Sequence, residues 1–197
     1  MKENVFALMR RSVENDIRAL ELLLECMDEE AYRKAVDLLA GARMTVTTAC
    51  GSSGFAAKKF AHSLCCIECP AKFVAPSEGL HGGMGVLQPG DVLVAVSKGG
   101  KTDELLPMLD IAKKKNAAII AVTQKPDSVL AKAADAVLLL PDFPESDEFN
   151  VMSTTSFAAN ISIFDALMMG LMEEKNYTLE QFALIHPGGA VGKRINP

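Results

Sequence analysis

The spacing of apolar positions changes near residue 43 and separates a helical lead from an alternating body. In the lead, Met9, Val13, Ile17, Leu20 and Leu24 recur at steps of three and four, the stripe of an amphipathic helix. Asp28 is placed to cap a second helix over residues 29–39, which Gly41 stops. The stripe runs for too few turns to make a coiled coil. From Met44 onward the rhythm is that of strands: residues 44–49, 71–75, the nearly unbroken apolar run 91–97, then 117–123 and 136–140. Continuous apolar runs of this length suit strands covered on both faces, as in a parallel sheet. Helix-forming residues fill the gaps, from Gly54 to about Cys65, over 102–115 and over 128–134. An acidic, proline-bearing loop at 141–151 leads to residues 153–174, which are apolar on most sides and predict a buried helix. Thr178 begins a short helix, and residues 186–192 read as a glycine-rich tail.

Alternating β and α units with short connections predict an α/β fold, a three-layer αβα sandwich around a mostly parallel five-stranded sheet. The chain has 197 residues, which fits one domain: a lead over 1–42 and an α/β core over 43–197. With 49% hydrophobic and 23% charged residues, intrinsic disorder is excluded, and a core can form without disulfide or metal. The net charge of −5 argues against a nucleic-acid or anionic-membrane partner, while leaving room for a local anion pocket. The N-terminus carries no apolar signal-peptide core, and the most apolar stretch, 157–172, is short and interrupted by Asn160 and Asp165. These features predict a cytoplasmic protein without a membrane span. The five cysteines form an odd set, as expected of reduced, buried thiols. Cys66 and Cys69 have zinc-like spacing, but no second pair exists and the histidines are scattered, so no metal site is expected.

In parallel α/β sheets the ligand sits beyond the carboxyl ends of the strands. The three loops expected there are rich in hydroxyls and glycine. Ser97-Lys98-Gly99-Gly100-Lys101-Thr102 offers two hydroxyls, exposed backbone N–H groups and a following helix start, a concave place for a phosphate monoester. The simpler alternative is an ordinary turn with Thr102 as helix cap. Gly51-Ser52-Ser53-Gly54 repeats the device after the first strand, without the Gly-Lys-Ser/Thr of a Walker loop. Ser153-Thr154-Thr155 opens the long helix.

Ser97 to Glu104 resembles the Ser-x-(Ser/Gly)-Gly-x-Thr-x-Glu signature loop of the SIS (sugar isomerase) domain family. The resemblance covers nearly the whole chain and is nearest to the isomerase domain of D-arabinose-5-phosphate isomerases. Gly51-Ser-Ser-Gly54, Glu78-Gly-Leu-His-Gly-Gly-Met-Gly85 and the tail His186-Pro-Gly-Gly-Ala-Val-Gly-Lys193 carry that closer likeness. It implies a flavodoxin-type, nucleotide-binding-like topology, a phosphosugar ligand and no cofactor. It also implies a homodimer or homotetramer with active sites near subunit interfaces. By the same resemblance the phosphate loop falls on Ser97, Lys98, Gly99, Gly100 and Thr102. Gly51, Ser52, Ser53, Ser153 and Thr154 assist, Glu104 is the candidate base, and His186 and His81 are the candidate histidines. Three departures stand out. Ser52 replaces a family lysine, His81-Gly-Gly lacks the family aspartate, and the family glutamate before the long helix has only Asp142 and Glu145 as nearby candidates. Many members also carry paired CBS domains, and the resemblance of residues 1–197 is to the isomerase domain without them.

Aldose–ketose isomerisation needs a base at the carbon acid, a proton carrier for two oxygens and a remote handle that orients the sugar. Glu104 can serve as that base or simply complement a helix dipole. His186 can carry protons near neutral pH. His81 could line the pocket or bind adventitious metal, and His62 fits a structural place on the first crossover helix. The resemblance, together with these residues, predicts a sugar-phosphate isomerase acting through an enediolate. A non-catalytic phosphosugar sensor and a 3-hexulose-6-phosphate isomerase are the alternatives. The apolar lead and the long helix expose more apolar face than one sheet can cover, which predicts a homo-oligomer.

Overall fold

A computed structural model describes residues 4–196. Two helices, α1 (Val5–Cys26) and α2 (Glu29–Gly41), precede the first strand; Asp28 caps α2 by accepting from Ala31 N at 2.7 Å. The body then alternates: β1 (Thr45–Ala49), α3 (Gly51–Cys65), β2 (Ala71–Phe73), a single turn α4 (Pro76–Gly79), β3 (Val92–Val96), α5 (Leu106–Lys114), β4 (Ala118–Thr123), α6 (Val129–Ala133) and β5 (Ala136–Leu139). The long α7 (Thr155–Glu174), α8 (Leu179–Ile185) and α9 (Gly189–Ile195) complete it.

The five strands pair in parallel throughout, in the order β2-β1-β3-β4-β5. This is the doubly wound order whose switch point lies between β1 and β3. Alternation along β3 shows why the run was continuous. Val92, Val94 and Val96 face the core built with α1, α2, α3 and α7, while Leu93 and Ala95 face a second core with α5 and α6. Phe60 of α3 stacks on Phe164 of α7 at 4.4 Å inside the first core. The amino ends of β1 and β3 are fastened by the fully buried Asp91, which accepts from Gln88 N (2.7 Å), Met44 N (3.1 Å) and the Arg43 guanidinium (2.6 Å).

Several expectations need correction. The stripe Met9, Val13, Ile17 and Leu24 faces outward; Ala19 and Leu23 are the residues of α1 buried against the body. Both sides of α1 carry apolar residues, so periodicity finds the helix without choosing its inner face. The third crossover helix starts at Leu106, not Thr102, because Pro107 favours the first turn and residues 101–105 close a separate turn through Leu105 N to Thr102 O. The tail is not all loop: Gly188 caps α9. The thiols are not all buried, since Cys65 is exposed and Cys69 alone is buried. Finally, α7 is long and apolar enough to cross a membrane (20 residues, mean hydropathy 1.3), contrary to the length judged from 157–172. Half of its most apolar window is covered, and it packs on α1, α2 and α3 as a core helix.

Candidate active site

All strands point their carboxyl ends the same way, so the loops after β1, β3 and β5 share one rim, and the one after β2 stands beside them. At the β1–β2 side of the switch point lies an open crevice of about 450 Å³. Its walls include Cys50, Gly51, Phe55 and Lys58 from the start of α3, Phe73, Pro76 and Ser77 from the β2 side, and Glu104 from the β3 side. Gly51 takes a left-handed φ of +56°, which turns the chain sharply from strand into helix. Gly54 lets α3 approach β1, since a Cβ there would stand 3.0 Å from Ala49 O. Burial pushes the Cys50 thiol up, and the Glu104 carboxylate adds to the effect. Glu104 stands before α5 rather than in its first turn, so its carboxylate is not one of the helix's own first-turn acids.

The Ser97–Thr102 loop is tightly organised. Ser97 is buried; its hydroxyl meets the Thr102 hydroxyl at 2.8 Å and accepts from Gly100 N at 3.0 Å. Thr102 therefore braces the loop instead of capping a helix, and the helix dipole expected at Thr102 lies further along the chain. Gly100 has φ +64°, and a Cβ there would run into the Ser128 side chain. Gly99 and Lys101 are exposed.

Lys98 does not project as a free cation. Its ammonium pairs with Glu145 Oε1 at 2.7 Å. Glu145 is only 5% exposed, and its Oε2 accepts from Thr154 N (3.0 Å), Ser156 N (3.1 Å) and the Thr154 hydroxyl (3.4 Å). Burial alone would raise its carboxyl, but the Lys98 ammonium and the Ser156 and Thr154 donors outweigh that and hold it at about 2. Of the two glutamate candidates in that loop, Glu145 is thus the built-in one; Asp142 is exposed. The Ser153 hydroxyl meets that of Ser156 at 3.0 Å, so the start of α7 is already occupied by its own side chains and by Glu145.

The other candidates are spread out. Ser52 is exposed and Ser53 half-buried on the first turn of α3. His81 is exposed beyond α4 and does not line the crevice. His186 ends α8 and does not line the crevice either. Tyr177 Oη donates to Cys66 O (3.0 Å) and Gln181 Nε2 to Glu68 (3.2 Å), so the tail docks at the far end of α3, about 22 Å along that helix from Gly51. The His186 ring stacks on Phe182 at 3.7 Å, and its Nδ1–H donates to Phe182 O at 3.0 Å, leaving Nε2 as the basic nitrogen. Of the expected site residues, then, Gly51 and Glu104 line the crevice; the Ser97–Thr102 loop leads into Glu104 without lining it, and neither Ser52, Ser53, Ser153, Thr154 nor the histidines are among its walls. Lys58 is a crevice residue that sequence reasoning missed: a lone helical lysine carries no spacing signal, and only the fold brings it to the crevice that Glu104 also lines. Among the described residues, no three metal-ligating side chains are grouped to hold an ion.

Comparison with known proteins agrees with this architecture. An arabinose 5-phosphate isomerase of Pseudomonas aeruginosa is 34% identical over 186 residues, 94% of this chain and 57% of that protein. One from Escherichia coli is 32% identical over 188 residues, 95% of this chain and 58% of that protein. The chain therefore spans a little over half the length of these curated relatives. Among solved structures, a candidate sugar-phosphate isomerase of Listeria monocytogenes superposes with a TM-score of 0.91 at 43% identity, covering 95% of this chain and 99% of that one. An Escherichia coli protein in complex with arabinose 5-phosphate gives 0.86 at 25% identity, covering 95% and 100%. Residues 38–170 match the SIS domain. With the parallel sheet, the hydroxyl-bearing rim and these relatives in agreement, the chain belongs to the SIS domain family.

Proposed function

We propose that this chain is a sugar-phosphate aldose–ketose isomerase, with arabinose 5-phosphate as the first substrate to test. The observation that carries the reading is the open crevice at the switch point, where Glu104 and Lys58 line one cavity beside the braced Ser97–Thr102 loop. The relatives named as arabinose 5-phosphate isomerases and the related structure that holds this sugar phosphate support the substrate class. The phosphate end of the sugar binds at the hydroxyl loop with Ser53 nearby, and this remote binding energy orients the reacting carbons. Glu104 removes the proton from C2 of the aldose, giving an enediolate, and returns it to C1. A proton passes from the C2 hydroxyl to the C1 oxygen in the same cycle, carried by the free Nε2 of His186.

Tyr177 and Gln181 anchor the segment before His186 at the far end of α3, and His186 does not line the crevice of its own chain, so the reading assigns it to the crevice of a second copy in a cytoplasmic homodimer or homotetramer. The outward apolar residues Phe6, Met9, Val13 and Ile17 of α1 support assembly. Replacing Glu104 by Gln is expected to lower turnover about 10²–10⁴-fold while phosphosugar binding survives. His186→Ala should also cut turnover, and mixing it with Glu104→Gln protein should restore part of the activity if the two act across subunits. A second reading, a phosphosugar sensor, is favoured by Ser52 standing where the family lysine is expected. Tight binding without turnover on any pentose or hexose phosphate would establish the sensor instead.

A further inference from the structure

Two loops of the carboxyl rim are tied together by an ion pair that the proton transfers above do not use. Lys98 lies in the loop after β3, Glu145 in the loop after β5, and their heads meet at 2.7 Å. Each partner is held at its other end as well. Lys98 O accepts from Gln124 N (3.0 Å) and the Thr123 hydroxyl (3.2 Å), and the Lys98 ammonium lies 5.8 Å from the centre of the Phe143 ring. Glu145 grips the first amides of α7 with its second oxygen. The link is therefore short, charged, buried at its Glu145 end and bonded at both ends, the conditions under which an ion pair holds geometry. It joins the residue next to Ser97 to the residues around Ser153 and Thr154. It also cancels the Lys98 charge, so an arriving phosphate meets a neutral pair.

We infer that Lys98 and Glu145 form a positioning pair that fixes the spacing between the Ser97–Thr102 loop and the start of α7, and through it the affinity for the phosphate end of the substrate. This inference rests on the phosphosugar reading above. It assigns neither residue a contact with the reacting atoms.

The test uses Lys98→Met, Glu145→Gln, the double variant and the conservative Lys98→Arg in the full chain. Each single variant is expected to raise KM for arabinose 5-phosphate about tenfold with kcat within about threefold, the mark of lost binding rather than lost chemistry. The double variant should be no worse than either single one, because both remove the same link. Lys98→Arg should recover most of the affinity. Amide hydrogen exchange at Thr154 and Ser156 should quicken in Lys98→Met although that residue touches neither amide. Additive losses in the double variant, or an affinity lost in Lys98→Met but kept in Glu145→Gln, would overturn the inference in favour of direct phosphate binding by Lys98. A collapse of kcat in Glu145→Gln at unchanged KM would overturn it in favour of proton transfer by Glu145. Should the wild type turn over no sugar phosphate, the functional reading fails on its own. Exchange at Thr154 and Ser156 then still decides the pair, and unchanged exchange in Lys98→Met refutes it. If Glu145→Gln does not fold, Lys98→Met and Lys98→Arg carry the test.

Discussion

Two carboxylates at the same rim meet opposite surroundings. Glu104 stands exposed on the wall of an open crevice that Lys58 and Cys50 also line. Glu145 is enclosed, with an ammonium and two backbone amides on its oxygens. A general base works best when its pKa lies near the operating pH. Glu145, held at about 2, is a weak base with its lone pairs already in use, whereas Glu104 is reachable by a substrate. Residue type alone does not separate a reacting carboxylate from a bracing one; the number of donors already aimed at it does.

The contrast can be broken or sharpened at four points. The largest effect is expected on the enclosed side. Gly100→Ala forces an L side chain into a left-handed φ and against Ser128, and should cost about 2–4 kcal/mol in urea unfolding. A loss below about 0.5 kcal/mol would mean that the loop yields easily and is not a rigid brace.

Next comes acid. The folded-state pKa of Glu145 is depressed from 4.5 to about 2, so its contribution is fully present above about 4.5 and is lost as pH falls towards 2. Unfolding curves between pH 6 and pH 3 should show this loss in the wild type, and Glu145→Gln should flatten that part of the profile. An unchanged acid limb would show that the pair is solvated.

On the open side, Lys58→Met should raise KM for a phosphosugar about five- to tenfold with little effect on melting temperature, because an exposed cation acts through the field it sets in the crevice. Equal KM values would remove Lys58 from the site.

The smallest effect concerns Cys50. Since Glu104 helps push that thiol up, Glu104→Gln should speed its alkylation at pH 8 about two- to threefold, and a bound phosphosugar should slow it in the wild type. A slower reaction in the variant would separate the two side chains.

Much of the architecture is legible in the sequence because each strand is a short apolar run between turn residues, and a parallel sheet covered on both faces demands just that. Val92 to Val96 is the clearest case, feeding two cores by alternation. What escapes is whatever depends on a choice between equivalent faces or on distant partners. The stripe from Met9 to Leu24 locates α1, yet Ala19 and Leu23 pack inward. Thr102 looks like a helix cap until its hydroxyl is seen turned back to Ser97. Of the candidate site, the Ser97 loop stands out by its glycines and hydroxyls, and Glu104 through the resemblance of residues 97–104 to the SIS signature. The Lys98–Glu145 pair joins residues 47 apart, and Lys58 enters through the direction in which α3 leaves β1, so neither leaves a local mark.

The buried Asp91 draws the amino ends of β1 and β3 together with three donors, at the opposite end of the sheet from the crevice. The molecule thus keeps its keel at one pole and its chemistry at the other. Changes in the loops that line the crevice itself leave this fastening untouched, which makes the β1–β2 side of the rim the natural place to graft new contacts.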